Sequence, residues 1–171
     1  TTPGFLGACL DIISSEEIPE NVKLSACLYF KNKTVNGWSG QKISKNELLN
    51  YEVDNDEKPV IKDMLIQTML LSSKQSPRCT RILKSALTVI IGEEYPHKRW
   101  DNLLPEALKL LSKNDIDSAY VGLICLAEIF RTYRWKENDS RQNLEVLILE
   151  CFPGLLQYAN EQLLQNGENL D

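Results

Sequence analysis

The sequence predicts an all-α protein made of stacked pairs of antiparallel helices, and three observations predict it. Apolar residues recur at i, i+3 and i+4 in patch after patch, and no segment alternates long enough to suggest a strand ladder. Seven such patches, about 10 to 25 residues each, are joined by short links and one longer polar stretch. The pattern also repeats. Trp38, Trp100 and Trp135 each lie at or just past the end of an apolar helix, and Pro105 in NLLPEALKLL and Pro153 in ECFPGLLQYA are 48 residues apart.

Taken in order, Phe5, Leu6, Cys9, Leu10 and Ile13 keep helical spacing and give a short amphipathic helix ending near Ser14 and Ser15. Pro19 opens the second helix, since a first-turn N–H has no partner to lose. Its expected buried stripe is Val22, Leu24, Ala26, Cys27, Phe30 and Val35, with a stop at Gly37. SGQKISKNELLNYEVDNDEK reads as a loop with one turn around Leu48 and Leu49. Pro59 restarts a helix with Val60, Ile61, Met64, Leu65 and Thr68 on one side and Lys62, Asp63 and Gln67 on the other, ending around Ser72 and Ser73. Ser76 and Pro77 form an N-cap and first-turn pair for a helix that buries Cys79, Ile82, Leu83, Ala86, Leu87 and Ile90, and a break is expected from Gly92 to Pro96.

Trp100 to Ser112 gives the next helix, with Leu104, Leu108 and Leu111 at i, i+4, i+7 and Pro105 near its first turn. Asp115 or Asp117 caps SAYVGLICLAEIFRTYRW, which is apolar nearly all round and must be covered on several sides. A polar hinge, KENDSRQ, leads to a last helix that Pro153 should bend or split.

Composition narrows the function. The chain has 171 residues, 43% of them hydrophobic and 25% charged, enough for a core of its own. A net charge of −5 and a pI near 5.0 argue against broad binding to nucleic-acid phosphates and favour a basic partner. The five cysteines are an odd number with no CxxC pair, so neither a disulfide framework nor a zinc site is indicated. Cys9, Cys27, Cys125 and Cys151 fall on apolar stripes, where a thiol acts as a small hydrophobe. His97 is the single histidine and lies in a polar break, so no Cys–His nucleophile or histidine-rich metal site assembles. No cofactor and no enzymatic activity are expected. No apolar run approaches the roughly 20 residues of a membrane span. The abrupt apolar start, TTPGFLGACL, reads as the interior of a longer protein.

The proline period is close to the roughly 40 to 47 residues of paired-helix HEAT or armadillo units. One such unit cannot bury its own apolar face, so neighbours stack into a superhelix. The expected architecture is a right-handed α-solenoid of about three and a half HEAT repeats: residues 1–15 end the first, 19–73 form the second, 76–112 the third and 115–166 the fourth.

These residues also carry a family likeness. LSACLYFKNKTVNGW, with Ala26, Lys31, Asn32 and Trp38, resembles the second repeat of importin-β (karyopherin-β) nuclear transport receptors. SALTVIIGEEYPHKRWDNLLPEALKLL, with Tyr95, Pro96, Trp100, Leu103, Leu104 and Pro105, resembles the third. GLICLAEIFRTYRWK resembles the leading helix of the fourth repeat in the importin-seven and importin-eight branch with its fungal Nmd-five-like members. The likeness covers essentially the whole chain, and the family's opening helix would precede Thr1.

The resemblance implies function without chemistry. It implies an N-terminal arch that binds the GTPase Ran in its GTP form, protein cargo carried on repeats outside this segment, and phenylalanine-glycine nucleoporins on the convex side. It implies residence in cytoplasm, nucleus and the nuclear pore. The matching Ran-facing positions are the polar faces of residues 59–73 and 100–112, where Lys62, Asp63, Gln67, Glu106 and Lys109 are the expected contacts. The alternative is a generic helical-repeat scaffold of a cytosolic complex that ignores Ran.

Other polar features have plainer readings. Lys31 and Lys33 lie near a helix C-terminus, where cations complement the dipole. Lys74, Arg78, Arg81 and Lys84 read as a solvated face, and the tryptophans as packing between repeats. Convex grooves near Phe30, Leu83 or Ile129 would be the seats of a pore-repeat phenylalanine, but full cover of these side chains is the plainer reading.

Overall fold

Every apolar patch of the sequence becomes a helix. The computed structural model describes residues 4–40, 52–113, 115–134 and 139–167. It contains α1 (Phe5–Ser14), α2 (Glu20–Gly37), α3 (Glu57–Gln75), α4 (Pro77–Glu94), a 3-10 turn at Tyr95–His97, α5 (Leu103–Leu111), α6 (Ile116–Tyr133) and α7 (Asp139–Gly167). No strand occurs among the described residues. The chain divides into two compact units, Thr1–Arg99 and Trp100–Asp171, with the division inside the stretch expected to be the third repeat.

In the first unit, α1 packs on α2 and α3, and α4 packs on the same two helices. α1 buries Leu6, Cys9, Leu10 and Ile13, as its spacing predicts. The stripe of α2 is phased differently from the expectation. Lys23, Cys27, Phe30, Thr34 and Gly37 are buried, whereas Val22 and Val35 are exposed. That phase places Cys27 and Phe30 inside, and the burial of Lys23 is compensated by its Nζ donating to Gln75 Oε1 at 2.9 Å. Val53 N–H closes the end of α2 by donating to the Gly37 carbonyl at 2.9 Å. The expected turn at Leu48 and Leu49 lies outside the described residues, as does Trp135.

α3 starts at Glu57, two residues ahead of Pro59, and runs on to Gln75 rather than stopping at Ser73. A proline in the first turn costs no intrahelical bond, so the helix can begin before it. Ser76 is the N-cap of α4 and Pro77 its first residue. The Ser76 hydroxyl, however, donates to Glu20 Oε1 at 3.0 Å and ties α4 to the start of α2. The break expected at Gly92 comes later. Gly92 sits in open space, so the helix passes through it to Glu94, and the chain turns at Lys98, a left-handed residue with φ of 55°.

In the second unit α5, α6 and α7 pack on one another. α5 begins at Leu103, later than the expected Trp100, with Pro105 in its first turn. Asp115 caps α6, its Oδ2 accepting from Ser118 N–H at 3.2 Å and from the Ser118 hydroxyl at 2.6 Å. α6 buries residues from Ser118 to Tyr133 on several sides, as its all-round apolarity predicts. Gly122 lies against α5, where a Cβ would come within 2.8 Å of the Ala107 carbonyl oxygen. Pro153 sits inside a continuous α7 and does not split it. The outer side of α7 carries a row of uncovered apolar side chains, Val146, Leu149, Phe152 and Leu156.

All five cysteines are reduced and buried. Burial raises the Cys9, Cys27 and Cys151 thiols and pushes Cys125 up to about 12, so none of these four is poised as a thiolate. Among the described residues no group of three potential ligands could hold a metal ion, and no helix is long and apolar enough to cross a membrane.

Candidate functional site

The first expected contact region, residues 59–73, falls on α3, and the helical repeat sorts its polar residues onto two different sides. Asp63 and Gln67, four apart, point outward. They share one line with Val60, Leu71 and Lys74, all exposed, with Val60 54% and Leu71 42% accessible. The surface is thus a ridge with polar centre and apolar shoulders. Val60, assigned from sequence to the buried side, belongs instead to this ridge.

Lys62 does not belong to it. The expectation that Lys62 projects with Asp63 and Gln67 from one exposed face is corrected by the structure, because Lys62 is buried on the side of α3 that meets α4. One residue step turns a helix by about 100°, which carries position 62 away from position 63. The ammonium survives burial because it is paired and hydrogen-bonded. Its Nζ donates to Glu94 Oε2 at 3.1 Å and to the Arg99 carbonyl at 2.5 Å.

Glu94 is the hub of this cluster. Its Oε1 accepts from the Trp38 indole N–H at 3.1 Å and lies 3.3 Å from Arg99 Nη2. Arg99 also donates from Nη2 to the Glu93 carbonyl at 2.6 Å, and its N–H donates to the Glu94 carbonyl at 3.0 Å. Burial alone would raise the Glu94 carboxyl. Hydrogen bonds from Lys62 and Trp38, with the charges of Lys62 and Arg99, outweigh it and hold the group below its ordinary 4.5. The hub joins the end of α2, the middle of α3 and the end of α4, so it fixes the position from which the outer ridge of α3 projects. Trp38 itself is 1% exposed, in keeping with a packing role.

The hub floors a cleft of about 570 Å³ bordered by Asn55, Lys58, Pro59, Glu93, His97 and Arg99. Lys58 Nζ stands 5.7 Å from the centre of the Trp38 ring and donates to Asn55 Oδ1 at 2.9 Å. A lysine beside an apolar residue in a helix and a tryptophan at a helix end are a faint signal for this cluster, but nothing in one dimension pairs Lys62 with Glu94.

In the second unit, Glu106 and Lys109 are both exposed on α5, three residues apart as expected. Glu106 Oε1 accepts from Asn102 Nδ2 at 3.2 Å, which holds the carboxylate along the helix surface. Phe30, Leu83 and Ile129, the expected neighbours of a pore-repeat phenylalanine, are all fully buried. Their side chains are spent on the core and present no seat.

Helices packed through apolar stripes within each unit, with no strand among the described residues, define the class: an α-helical repeat protein. The exportin Cse1 in its cargo-free, cytoplasmic state has the same fold, with a TM-score of 0.75, 23% identity and coverage of 97% of this chain and 17% of that one. That fold is an α-solenoid of HEAT repeats. Residues 1–71 match the family model described as Importin-beta N-terminal domain. The Saccharomyces cerevisiae protein named Nonsense-mediated mRNA decay protein 5 is 65% identical over 170 residues, which cover 99% of this chain and 16% of that protein. Human Importin-8 is 24% identical over 165 residues, covering 95% of this chain and 15% of that protein. An Importin-alpha re-exporter of Schizosaccharomyces pombe is 29% identical over 166 residues, 92% of this chain and 16% of that protein. The chain therefore spans about one sixth of the curated relatives it matches. Its likeness to importin-β-type receptors runs over nearly its whole length, and its first 71 residues match that family's N-terminal domain.

Proposed function

We propose that this chain is the Ran-GTP-binding portion of a nuclear transport receptor that moves protein cargo between cytoplasm and nucleus through the nuclear pore. The observation that carries the reading is the outward ridge of α3, whose Val60, Asp63 and Gln67 lie inside the stretch matched by the importin-β N-terminal domain. A ridge with a charged and amide centre between apolar shoulders suits a protein partner, because polar groups set register while the shoulders exclude water. Asp63 and Gln67 are the proposed contacts on α3, with Glu106 and Lys109 a separate patch on α5. Lys62 acts indirectly, by holding α3 through Glu94. Cargo is carried by repeats outside this segment. Pore-repeat binding through Phe30, Leu83 or Ile129 is not part of the proposal, since all three are buried.

The test is a binding titration against Ran loaded with a non-hydrolysable GTP analogue and, separately, with GDP. The chain should retain the GTP form and barely retain the GDP form. Asp63→Arg combined with Gln67→Ala should weaken binding by about tenfold, or roughly 1.4 kcal/mol, with the helical circular dichroism unchanged. Equal affinity for both nucleotide states, or for neither, would instead favour a helical scaffold without Ran.

A further inference from the structure

The cleft over the Glu94 hub holds more positive charge than its own carboxylates use. Three cations, Lys58, Lys62 and Arg99, line it against two carboxylates, Glu93 and Glu94, in a chain whose overall charge is −5. Glu94 is already engaged on both oxygens, by Lys62 on one side and by Trp38 and Arg99 on the other. Among the described residues Lys58 meets neutral groups, the Asn55 amide and the face of Trp38. The nearby acids are turned to backbone donors: Asp54 Oδ1 accepts from Asp56 N–H and Glu57 Oε1 from Gly4 N–H. Arg99, whose side chain is half exposed, makes its bonds to Glu93 and Glu94 through Nη2 alone.

We propose that this cleft is a docking site for an acidic segment of a partner protein, with an Asp or Glu carboxylate seated between Lys58 and Arg99. A carboxylate there receives charge-assisted bonds from two cations and needs no rearrangement of the buried hub. The volume of about 570 Å³ is room for several side chains rather than a single small ion. A nucleic-acid strand is disfavoured, because binding it draws on a surplus of cations over many phosphates and this chain carries a net charge of −5. The site is separate from the α3 ridge assigned to Ran, and Glu93 at its rim limits it to segments that present one carboxylate inward.

Titration of the ¹⁵N-labelled chain with the acetylated, amidated hexapeptide Glu-Asp-Glu-Asp-Glu-Asp tests it, read at the Trp38 indole N–H. A saturable shift is expected, lost with the matched Gln-Asn peptide and weakened by salt. Lys58→Ala should weaken binding about fivefold and Lys58→Arg should preserve it. Lys58 is half-buried and makes no bond to Glu94, touching the hub at the face of Trp38, a contact that Lys58→Arg keeps, and the salt dependence of the unaltered chain gives a second readout independent of any variant. Three results would overturn the proposal: no saturable shift, an equal shift with the neutral peptide, or full affinity in Lys58→Ala. Inorganic phosphate or an oligonucleotide binding as tightly as the peptide would also overturn it, by reassigning the cleft to phosphate.

Discussion

Glu94 shows how one charge can be buried at 4% exposure without destabilising the fold, because three donors converge on its two oxygens. Such a pair is worth little against an apolar replacement but is costly to break on one side only. Glu94→Gln or Lys62→Met alone should each destabilise the chain by about 3 kcal/mol. The double substitution should cost less than the sum by about 1 to 3 kcal/mol, measured by chemical unfolding of all four proteins. The pH dependence has a definite sign. A carboxyl held below its ordinary 4.5 in the folded state stabilises above that pH, and the stabilisation is lost as pH falls through the lowered folded value. Acid titration should therefore show a loss of stability below about pH 4.5 that Glu94→Gln reduces. None of this pairing was legible in the sequence. Lys62 and Glu94 are 32 residues apart, and a lysine in the first half of an amphipathic helix is ordinarily a solvated one.

Among the helices, what the sequence made legible was where apolar periodicity is strong. α1 and α4 bury Leu6, Cys9, Leu10, Ile13, Leu83, Ala86, Leu87 and Ile90 as their spacing predicts. α2 was misphased because its apolar residues are too evenly spread, and tertiary packing chose a face that includes Lys23 and Thr34. One end was misread where Gly92 was taken as punctuation, whereas Gly37 does close α2 and Pro77 does open α4. Gly92 lies inside α4, since a helical glycine lowers propensity without ending the helix, and α7 runs unbroken through Pro153. Gly122 has the opposite character: it marks a contact invisible in one dimension, the approach of α6 to the backbone of α5. Gly122→Ala would gain about 1 kcal/mol of helix propensity. It must also push the Ala107 carbonyl from 2.8 Å, so a net loss of about 1 to 2 kcal/mol is expected in thermal unfolding. Asp115→Ala removes the bonds to Ser118 and should cost about 1 kcal/mol.

For the molecule as a whole, family and fold were readable because three spaced motifs span both units, from Ala26 to Trp38, from Tyr95 to Pro105 and through α6. The proposed contact surface was less so: exposure of Asp63, Gln67, Glu106 and Lys109 follows from helix geometry, but Val60 and Leu71 join Asp63 and Gln67 only in three dimensions. With a net charge of −5, encounter with a basic partner is steered over roughly a Debye length of 10 Å at 0.1 M salt. Association with Ran-GTP should accordingly slow by several-fold between about 0.05 and 0.3 M salt, while dissociation changes less, as stopped-flow mixing would show.

The uncovered line of Val146, Leu149, Phe152 and Leu156 on α7 gives the chain a sticky flank. In a tube, that flank governs colloidal behaviour: solutions should scatter light at high concentration and brighten a hydrophobic dye. Changing Leu149 and Phe152 to serine should clear both effects while leaving the melting temperature nearly where it was.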